Sequence, residues 1–170
     1  FYFFGRVTDN VVTGDAADDS YNNDCWEIYF DGDNSKEGSY DANDIQWRWV
    51  YGRTEQEGGW ADVGNWAWME TAEGYDFELE IPVAELQKGG AQLFDLAVGT
   101  VIGFETQVAD NDGNGRKSMT KWWSESNDSW ANPSLFGTAI LVLENEDKVL
   151  EVAANISLSA PAILTSNATI

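Results

Sequence analysis

Apolar and polar residues alternate with a period of two through most of this chain, which limits what it can fold into. Almost no stretch keeps helical spacing beyond two turns, and one helical turn is expected at Val83–Gln87, after Pro82. The pattern predicts an all-β fold, an antiparallel β-sandwich of the jelly-roll or immunoglobulin-like kind. The predicted strands, most of them bounded by glycine- or aspartate-rich turns, are Phe1–Thr8, Cys25–Asp31, Ile45–Tyr51, Trp66–Thr71, Tyr75–Pro82, Val101–Ala109 and Thr138–Glu144.

The charge of the chain narrows the classes of function. Thirty acidic residues against nine basic ones give a formal charge of −21, so nucleic-acid phosphates and anionic membrane surfaces would be repelled. The absence of histidine excludes Ser-His-Asp and Cys-His catalysis. No run of 18 apolar residues is present, which predicts no membrane insertion. The single Cys25 lies within an apolar strand pattern and is interpreted as a buried, unreactive thiol.

The composition changes near the C-terminus. Residues 152–170 carry no charge, whereas the preceding 151 residues carry all 39 charged side chains. We therefore predict a sandwich domain over residues 1–146 and a strand-forming tail or linker over 147–170. The abrupt start at Phe1, inside a strand pattern, raises the alternative that the sandwich lacks its first strand. Residues 152–170 and 1–8 are then candidates for self-association by strand addition.

The strand alternation also predicts a polar face. The side chains that share it are long and planar, and they are Glu27, Gln46, Arg48, Glu78, Glu105 and Gln107. An ordinary solvated sheet face is the alternative interpretation. The choice of residues favours a site, because carboxylate, amide and guanidinium groups form bidentate hydrogen bonds with neighbouring sugar hydroxyls.

Aromatic residues in the loops could stack on the apolar faces of sugars. The chain has nine tryptophans, and an acidic protein this rich in them must bury the rings or present some to a partner. The segment from Lys121 to Trp130 lies in a polar loop without strand periodicity, so at least one ring there is expected to be exposed. The candidate stacking residues are Tyr21, Trp122, Trp123 and Trp130.

Oxygen-rich turns suggest structural calcium. Asp110, Asp112 and Asn114 alternate in a run that has glycine at its sixth position, as in the start of a calcium loop. Lys121 stands where an EF-hand has its twelfth-position glutamate, which excludes that motif. An Asx turn that closes a hairpin is the alternative. A second cluster compatible with a hard cation comprises Asp31, Asp33, Asn34, Asp41, Asn43 and Asp44.

Other features bear on compartment and catalysis. Three glycosylation sequons begin at Asn127, Asn155 and Asn167 and fit an extracellular or cell-surface protein. Glycoside hydrolysis needs two carboxylates, and Glu27, Glu78, Glu80 and Glu105 raise a retaining glycosidase as a further hypothesis. Such pairs arise by chance at this composition, and no other catalytic motif is visible, so the chain is predicted not to be an enzyme.

The order and spacing of several short motifs resemble carbohydrate-binding module family 9 over Phe1 to Leu143. These motifs are Asn23-Asp24-Cys25-Trp26-Glu27-Ile28-Tyr29-Phe30-Asp31, Asp44-Ile45-Gln46-Trp47-Arg48, Gly74-Tyr75-Asp76-Phe77-Glu78, Glu80-Ile81-Pro82, Ile102-Gly103-Phe104-Glu105 and Phe136-Gly137-Thr138. The resemblance implies a non-catalytic β-sandwich that binds mono- or oligosaccharides as a module of a secreted or cell-surface protein. An alternative function is a structural subunit of an extracellular filament or surface array, assembled by β-strand addition through the tail.

The resemblance also implies the layout of the site. Family members hold sugar in a slot between two aromatic rings, above polar groups that correspond here to the six residues of the predicted polar face. One ring would come from the Trp122–Trp130 loop. The resemblance leaves the other ring open, because Tyr21 precedes Asn23-Asp24 where many members place tryptophan. Structural calcium is common in the family.

Overall fold

A computed structural model describes residues 1–14, 19–60, 63–88 and 90–142 of the chain. Within these ranges the regular elements are strands and three short 3₁₀ helices, at Ser20–Asn22, Val83–Glu85 and Pro133–Leu135. None of these helices is long and apolar enough to cross a membrane. The strands are β1 (Tyr2–Thr8), β2 (Cys25–Asp31), β3 (Asp44–Val50), β4 (Gln56–Glu57), β5 (Asn65–Thr71), β6 (Gly74–Glu80), β7 (Gln87–Lys88), β8 (Ala91–Gln92), β9 (Val101–Asp110), β10 (Ser118–Lys121) and β11 (Gly137–Ile140).

Two antiparallel sheets pack face to face. The smaller sheet has the order β1-β6-β5. The larger sheet has the order β10-β9-β2-β3-β4. Its sixth strand is β11, which pairs with the first part of β9. The strands β7 and β8 form a separate short hairpin. The predicted all-β sandwich is therefore confirmed.

Aromatic rings fill the space between the sheets. Trp26 of the larger sheet stacks on Phe77 of the smaller one, with ring centroids 5.7 Å apart. Trp47 and Trp49 on β3 are completely buried, and each such side chain contributes roughly 2–3 kcal/mol of hydrophobic stabilisation. Trp60, Trp66 and Trp68 pack against this core from its edge. Six of the nine tryptophans thus serve the core, and the remaining three lie in one loop.

Gly5 on β1 leaves room for the indole of Trp26. A Cβ atom at this position would overlap the six-membered ring of Trp26. We expect Gly5→Ala to lower the free energy of unfolding by about 1–3 kcal/mol, because overpacking displaces a buried ring. Urea unfolding measures this effect, with Gly38→Ala as the control, since nothing lies within 4 Å of a Cβ at Gly38. Equal stability of the two variants would contradict the predicted packing.

The predicted strands agree with the structure, with several corrections. The last predicted strand, Thr138–Glu144, is shorter, because β11 ends at Ile140. The short strands β4, β7, β8 and β10 were not predicted; they have two to four residues, too few to show alternation. Cys25 is fully buried, and burial raises the pKa of its thiol to about 12, as expected for an unreactive cysteine.

The predicted tail over residues 147–170 lies outside the described residues. The same holds for the sequons at Asn155 and Asn167 and for self-association through residues 152–170. The other segment named for self-association, residues 1–8, includes β1, which is an edge strand of the smaller sheet. Strand addition and the filament alternative stay predictions.

Candidate functional site

Three neighbouring strands of the larger sheet bring polar side chains together on its outer face. In the register of β2 with β3 and β9, Glu27 lies opposite both Arg48 and Gln107. In the next row on that face, Tyr29 lies opposite Gln46 and Glu105. The predicted polar face is confirmed for these three strands.

Glu27 is the centre of a hydrogen-bond network. It is only 2% exposed, and its Oε1 accepts a hydrogen bond from Arg48 Nε at 2.6 Å. Its Oε2 accepts from the Tyr29 hydroxyl and, at 3.3 Å, from Gln46 Nε2. Burial and the Glu27 charge raise the pKa of Tyr29, so this tyrosine remains a neutral donor. The network fixes the orientation of Arg48 and Gln46 before any ligand arrives.

Two more contacts extend the network at its ends. Arg48 Nη1 donates to Ser20 Oγ at 3.0 Å, which ties β3 to the 3₁₀ helix that carries Tyr21. The Tyr29 hydroxyl also lies 3.3 Å from Gln107 Oε1. In the described part of the chain, the buried Gln107 Nε2 has no hydrogen-bond partner. It is therefore a buried donor without a partner, and it is not exposed to solvent.

Glu105 has a different role from the predicted contact with sugar. It is completely buried, and its Oε1 accepts hydrogen bonds from the backbone N–H groups of Thr106, Trp122 and Trp123 at 2.9–3.1 Å. Its Oε2 accepts from the Ser124 N–H at 2.6 Å. Burial raises the pKa of Glu105, although these four N–H groups favour the carboxylate. Glu105 thus positions the tryptophan loop.

The placement predicted for Glu78 is wrong. Glu78 lies on β6, which belongs to the smaller sheet, and its exposed side chain shares that sheet's outer face with Phe4 and Ala67. The alternation of β6 was correctly assigned, but alternation does not reveal which sheet a strand joins. A pair of carboxylates formed by Glu78 and Glu27, as a glycosidase would need, is therefore not assembled.

The tryptophan loop presents three partly exposed rings, as the sequence predicted. The exposed fractions are 37% for Trp122, 45% for Trp123 and 63% for Trp130. Trp122 also packs on the core residue Phe104, with centroids 5.5 Å apart. The Tyr40 hydroxyl donates to the Ser129 carbonyl at 2.9 Å and so anchors the chain directly before Trp130.

Trp130 borders an open cavity beside Glu27, Gln46, Arg48 and Gln107, four side chains that we call the polar floor. The cavity has a volume of about 530 Å³, and Gln46, Tyr40, Trp60 and Lys88 also line it. Its size falls in the range of small-ligand sites. Its lining combines indole and phenol rings with amide and ammonium groups. Such a lining can contact both the apolar face and the hydroxyls of one sugar.

Tyr21 lies at the other end of the floor, beside Arg48. Its ring is 42% exposed, and the Arg48 guanidinium lies 5.9 Å from the ring centroid. A second guanidinium, that of Arg116, lies 5.7 Å from the same centroid. The Tyr21 hydroxyl donates to Asp19 Oδ2 at 2.7 Å, which holds the ring in place. Arg48 and Gln46 are two residues apart on one face of β3, so Tyr21 and Trp130 flank the same short row of polar groups.

The candidate calcium ligands Asp110 and Asp112 lie close to an acidic residue that the sequence did not single out. Carboxylate oxygens of Asp9, Asp110 and Asp112 all lie within 4.8 Å of one another. Asp9 follows β1, far from the loop in sequence, and only the sheet topology brings it there. The third predicted ligand, Asn114, is exposed between two glycines in the left-handed backbone region, Gly113 and Gly115.

The second oxygen-rich cluster is largely used by its own turns. The oxygens of Asp31 accept hydrogen bonds from the N–H groups of Ser35 and Lys36, each at 3.0 Å. Asp44 accepts from the Asp41 N–H at 2.7 Å, and burial raises the pKa of Asp44 to about 6. These contacts match Asx-type turns, although Asn34 Oδ1 and Asp44 Oδ1 are buried without a hydrogen-bond partner among the described residues. A cation at this cluster stays a prediction.

Sequence reasoning missed several residues that shape the site. Tyr29 has the same strand parity as Glu27, a signal that was present but not used. Ser20, Tyr40 and Arg116 come from loops or a 3₁₀ helix, where no periodicity marks them. Asn127, the one described sequon residue, is exposed in the tryptophan loop, and its Oδ1 accepts from Lys121 Nζ at 2.7 Å. Its glycosylation stays a prediction.

The sequence profile of the family described as "Carbohydrate family 9 binding domain-like" matches residues 1–144. This chain belongs to carbohydrate-binding module family 9. The predicted family, and with it non-catalytic carbohydrate binding as the function, is confirmed. Family 9 is a family of binding modules, which agrees with the prediction that the chain is not an enzyme.

Relatives and solved structures support the assignment to family 9. An exoglucanase XynX from Acetivibrio thermocellus is 31% identical over 82% of this chain, and endo-1,4-beta-xylanase A from Thermotoga maritima is 32% identical over 83%. The match spans only about an eighth of each relative, 12% and 13% of their lengths. Two structures of a family 9 module from Caldicellulosiruptor kristjanssonii, in complex with glucose and with cellotriose, superpose with TM-scores of 0.69 and 0.70. The glucose complex is 26% identical, and the match covers 88% of this chain and 73% of that one. The cellotriose complex is 25% identical, and the match covers 90% of this chain and 74% of that one.

Proposed function

We propose that this domain binds a short glucan or xylan-derived sugar in a slot between Tyr21 and Trp130. Glu27, Gln46, Arg48 and Gln107 form the floor of the slot, and the partly exposed Gln46 and Arg48 hydrogen-bond the sugar hydroxyls. One observation carries the proposal. A buried carboxylate, Glu27, holds guanidinium and amide groups in fixed positions on the outer face of the larger sheet, near exposed aromatic rings.

The physical argument rests on preorganisation. A ligand that meets fixed hydrogen-bond donors does not have to order them, so less of the interaction energy is lost on binding. The two flanking rings present apolar faces that suit the C–H surface of a pyranose. A glycan with few or no charged units also avoids the repulsion that a polyanion would meet from a chain of charge −21.

Isothermal titration calorimetry tests the proposal directly. We expect glucose, cellobiose, xylobiose or maltose to bind with dissociation constants between about 1 mM and 1 μM, or roughly −4 to −8 kcal/mol. A Glu27→Gln variant is expected to bind at least tenfold more weakly, because the charge-assisted bond that orients Arg48 is lost. Failure of all four sugars to bind, in the presence of calcium, would contradict the proposal.

The domain is further proposed to hold a structural calcium ion with Asp9, Asp110 and Asp112. Two buried oxygens of this group, Asp9 Oδ2 and Asp112 Oδ1, have no hydrogen-bond partner among the described residues, which fits oxygen ligands for a hard cation. The Lys117 ammonium contacts the other Asp112 oxygen and offsets part of the charge. Calcium would stabilise the junction between the end of β1 and the loop after β9.

Metal removal tests the calcium site. At calcium concentrations a hundredfold above the dissociation constant, the folded state gains about 2.7 kcal/mol. For a domain of this size we therefore expect a melting temperature about 5–10 °C lower in EGTA than in calcium. Asp112→Asn is expected to remove this difference, whereas Asp95→Asn, an exposed acid outside the cluster, is not. A melting temperature that is unaffected by EGTA would contradict the calcium proposal.

We also propose that the domain is part of a larger extracellular or cell-surface protein. The relatives are named as exoglucanases and xylanases, and this chain matches only a small part of each. A module that binds sugar weakly and reversibly would keep an attached domain close to its polysaccharide.

A further inference from the structure

Arg116 differs from every other basic residue in the described part of the chain. The chain has nine lysines and arginines, of which Lys148 lies outside the described residues. Seven of the remaining eight contact an oxygen acceptor of the protein: Arg6 with Asp76, Lys36 with the carbonyls of Phe136 and Gly137, Arg48 with Glu27, Arg53 with Glu57, Lys88 with the carbonyls of Asp41 and Asp44, Lys117 with Asp112, and Lys121 with Asn127. Arg116 contacts no protein oxygen within the described ranges, and its side chain is exposed.

The position of Arg116 connects it to the sugar slot. Its guanidinium lies 5.7 Å from the centroid of Tyr21, the ring proposed to form one wall. The neighbouring Arg48 guanidinium is 5.9 Å from the same centroid, but its charge is already paired with Glu27. Arg116 is therefore the cation at this wall whose hydrogen-bond donors are free to meet a ligand.

This arrangement suits an anionic group on an otherwise neutral sugar. A guanidinium has five donors in a planar fork that matches a carboxylate with two parallel hydrogen bonds. In a chain with 30 acidic residues, a carboxylate ligand is repelled over most of the surface. A guanidinium without a protein acceptor is a local site where such a ligand is attracted instead. The guanidinium lies over the Tyr21 ring, so this contact holds the fork at the proposed wall of the slot.

We propose that the slot prefers sugars that carry a carboxylate, with Arg116 as the residue that reads the negative charge. This inference rests on the proposed function, since it places the sugar ring between Tyr21 and Trp130. The carboxylate could be that of a uronic acid or that of an oxidised chain end, and both offer the same two oxygens. Arg116 then determines specificity, whereas the floor residues contribute affinity for any sugar that fits.

A charge-matched ligand pair tests the preference. Glucuronate and glucuronamide have nearly the same shape, but only the first is an anion. By calorimetry we expect glucuronate to bind the native domain roughly tenfold more tightly than glucuronamide, because a charge-assisted hydrogen bond is about twice as strong as a neutral one. Cellobionate, which keeps a pyranose ring next to an oxidised chain end, provides a second arm, and tighter binding of cellobionate than of glucuronate would assign the preference to oxidised ends.

In the variants, the quantity to measure is the ratio of the affinities for glucuronate and glucuronamide. Arg116→Gln is expected to bring it close to one, and Arg6→Gln, an exposed arginine on the smaller sheet, is expected to leave it unchanged. If glucose and cellobiose bind the native domain, while glucuronate binds no more tightly than glucuronamide and cellobionate no more tightly than cellobiose, the inference is wrong and the proposed function stands. If no sugar binds at all, both are wrong.

Discussion

A Trp130→Ala variant is expected to lose at least thirtyfold in affinity for cellotriose. Trp130 is 63% exposed, lines the cavity beside Gln46, and has the largest exposed fraction of the nine indoles. A tryptophan at the centre of a binding site typically contributes about 2 kcal/mol or more, which corresponds to a factor of about thirty. Since the ring is largely outside the core, the free energy of unfolding should change by less than about 0.5 kcal/mol.

Phe4→Ala is the matched control for this prediction. Phe4 is 56% exposed on the outer face of the smaller sheet, so the substitution removes a similarly exposed ring from the opposite side of the sandwich. Its affinity for cellotriose should equal that of the native domain. If Trp130→Ala bound normally and Phe4→Ala did not, the site would have to be moved to the smaller sheet.

Glu105→Gln is expected to lower the free energy of unfolding by about 2–4 kcal/mol and to weaken sugar binding as well. The Glu105 carboxylate accepts four backbone hydrogen bonds, three of them from Trp122, Trp123 and Ser124. A glutamine offers one oxygen and an NH₂ group, so one or more buried N–H donors would face another donor without a partner. The tryptophan loop would lose its anchor and Trp130 its fixed position. Urea unfolding and calorimetry measure the two effects.

Glu78→Gln is the control for this substitution. The chemical change is the same, but Glu78 is exposed on the smaller sheet. We expect stability within about 0.5 kcal/mol of the native value and unchanged affinity. A loss of sugar binding in Glu78→Gln would support the polar face of four strands that the sequence predicted. Unchanged stability of Glu105→Gln would contradict the proposal that Glu105 positions the tryptophan loop.

The alternation of side chains correctly predicted those features of the site that depend on the sequence of a single strand. Glu27, Gln46, Arg48 and Gln107 were placed on the polar face correctly, because period-two geometry sends every second side chain to the same face. The aromatic content and the aperiodic loop likewise predicted the exposed tryptophans. In both cases the decisive information is local in the sequence.

The remaining features depend on contacts between segments far apart in the chain. Glu78 follows the same alternation as Glu27, yet its strand joins the other sheet, and strand order is not encoded in periodicity. Glu105 shares a face with Gln107, but the Trp122–Ser124 backbone covers it, so its carboxylate faces protein rather than solvent. Asp9 reaches the calcium-type loop only because β1 ends beside it. Register and loop packing therefore had to come from the structure.

A crystal structure of the domain with cellotriose tests the central claim most directly. A terminal sugar ring is predicted between the rings of Tyr21 and Trp130, with its hydroxyls within about 2.7–3.2 Å of Arg48 and Gln46 nitrogens. Sugar bound instead on the outer face of the smaller sheet, beside Tyr2 and Phe4, would contradict the proposed site.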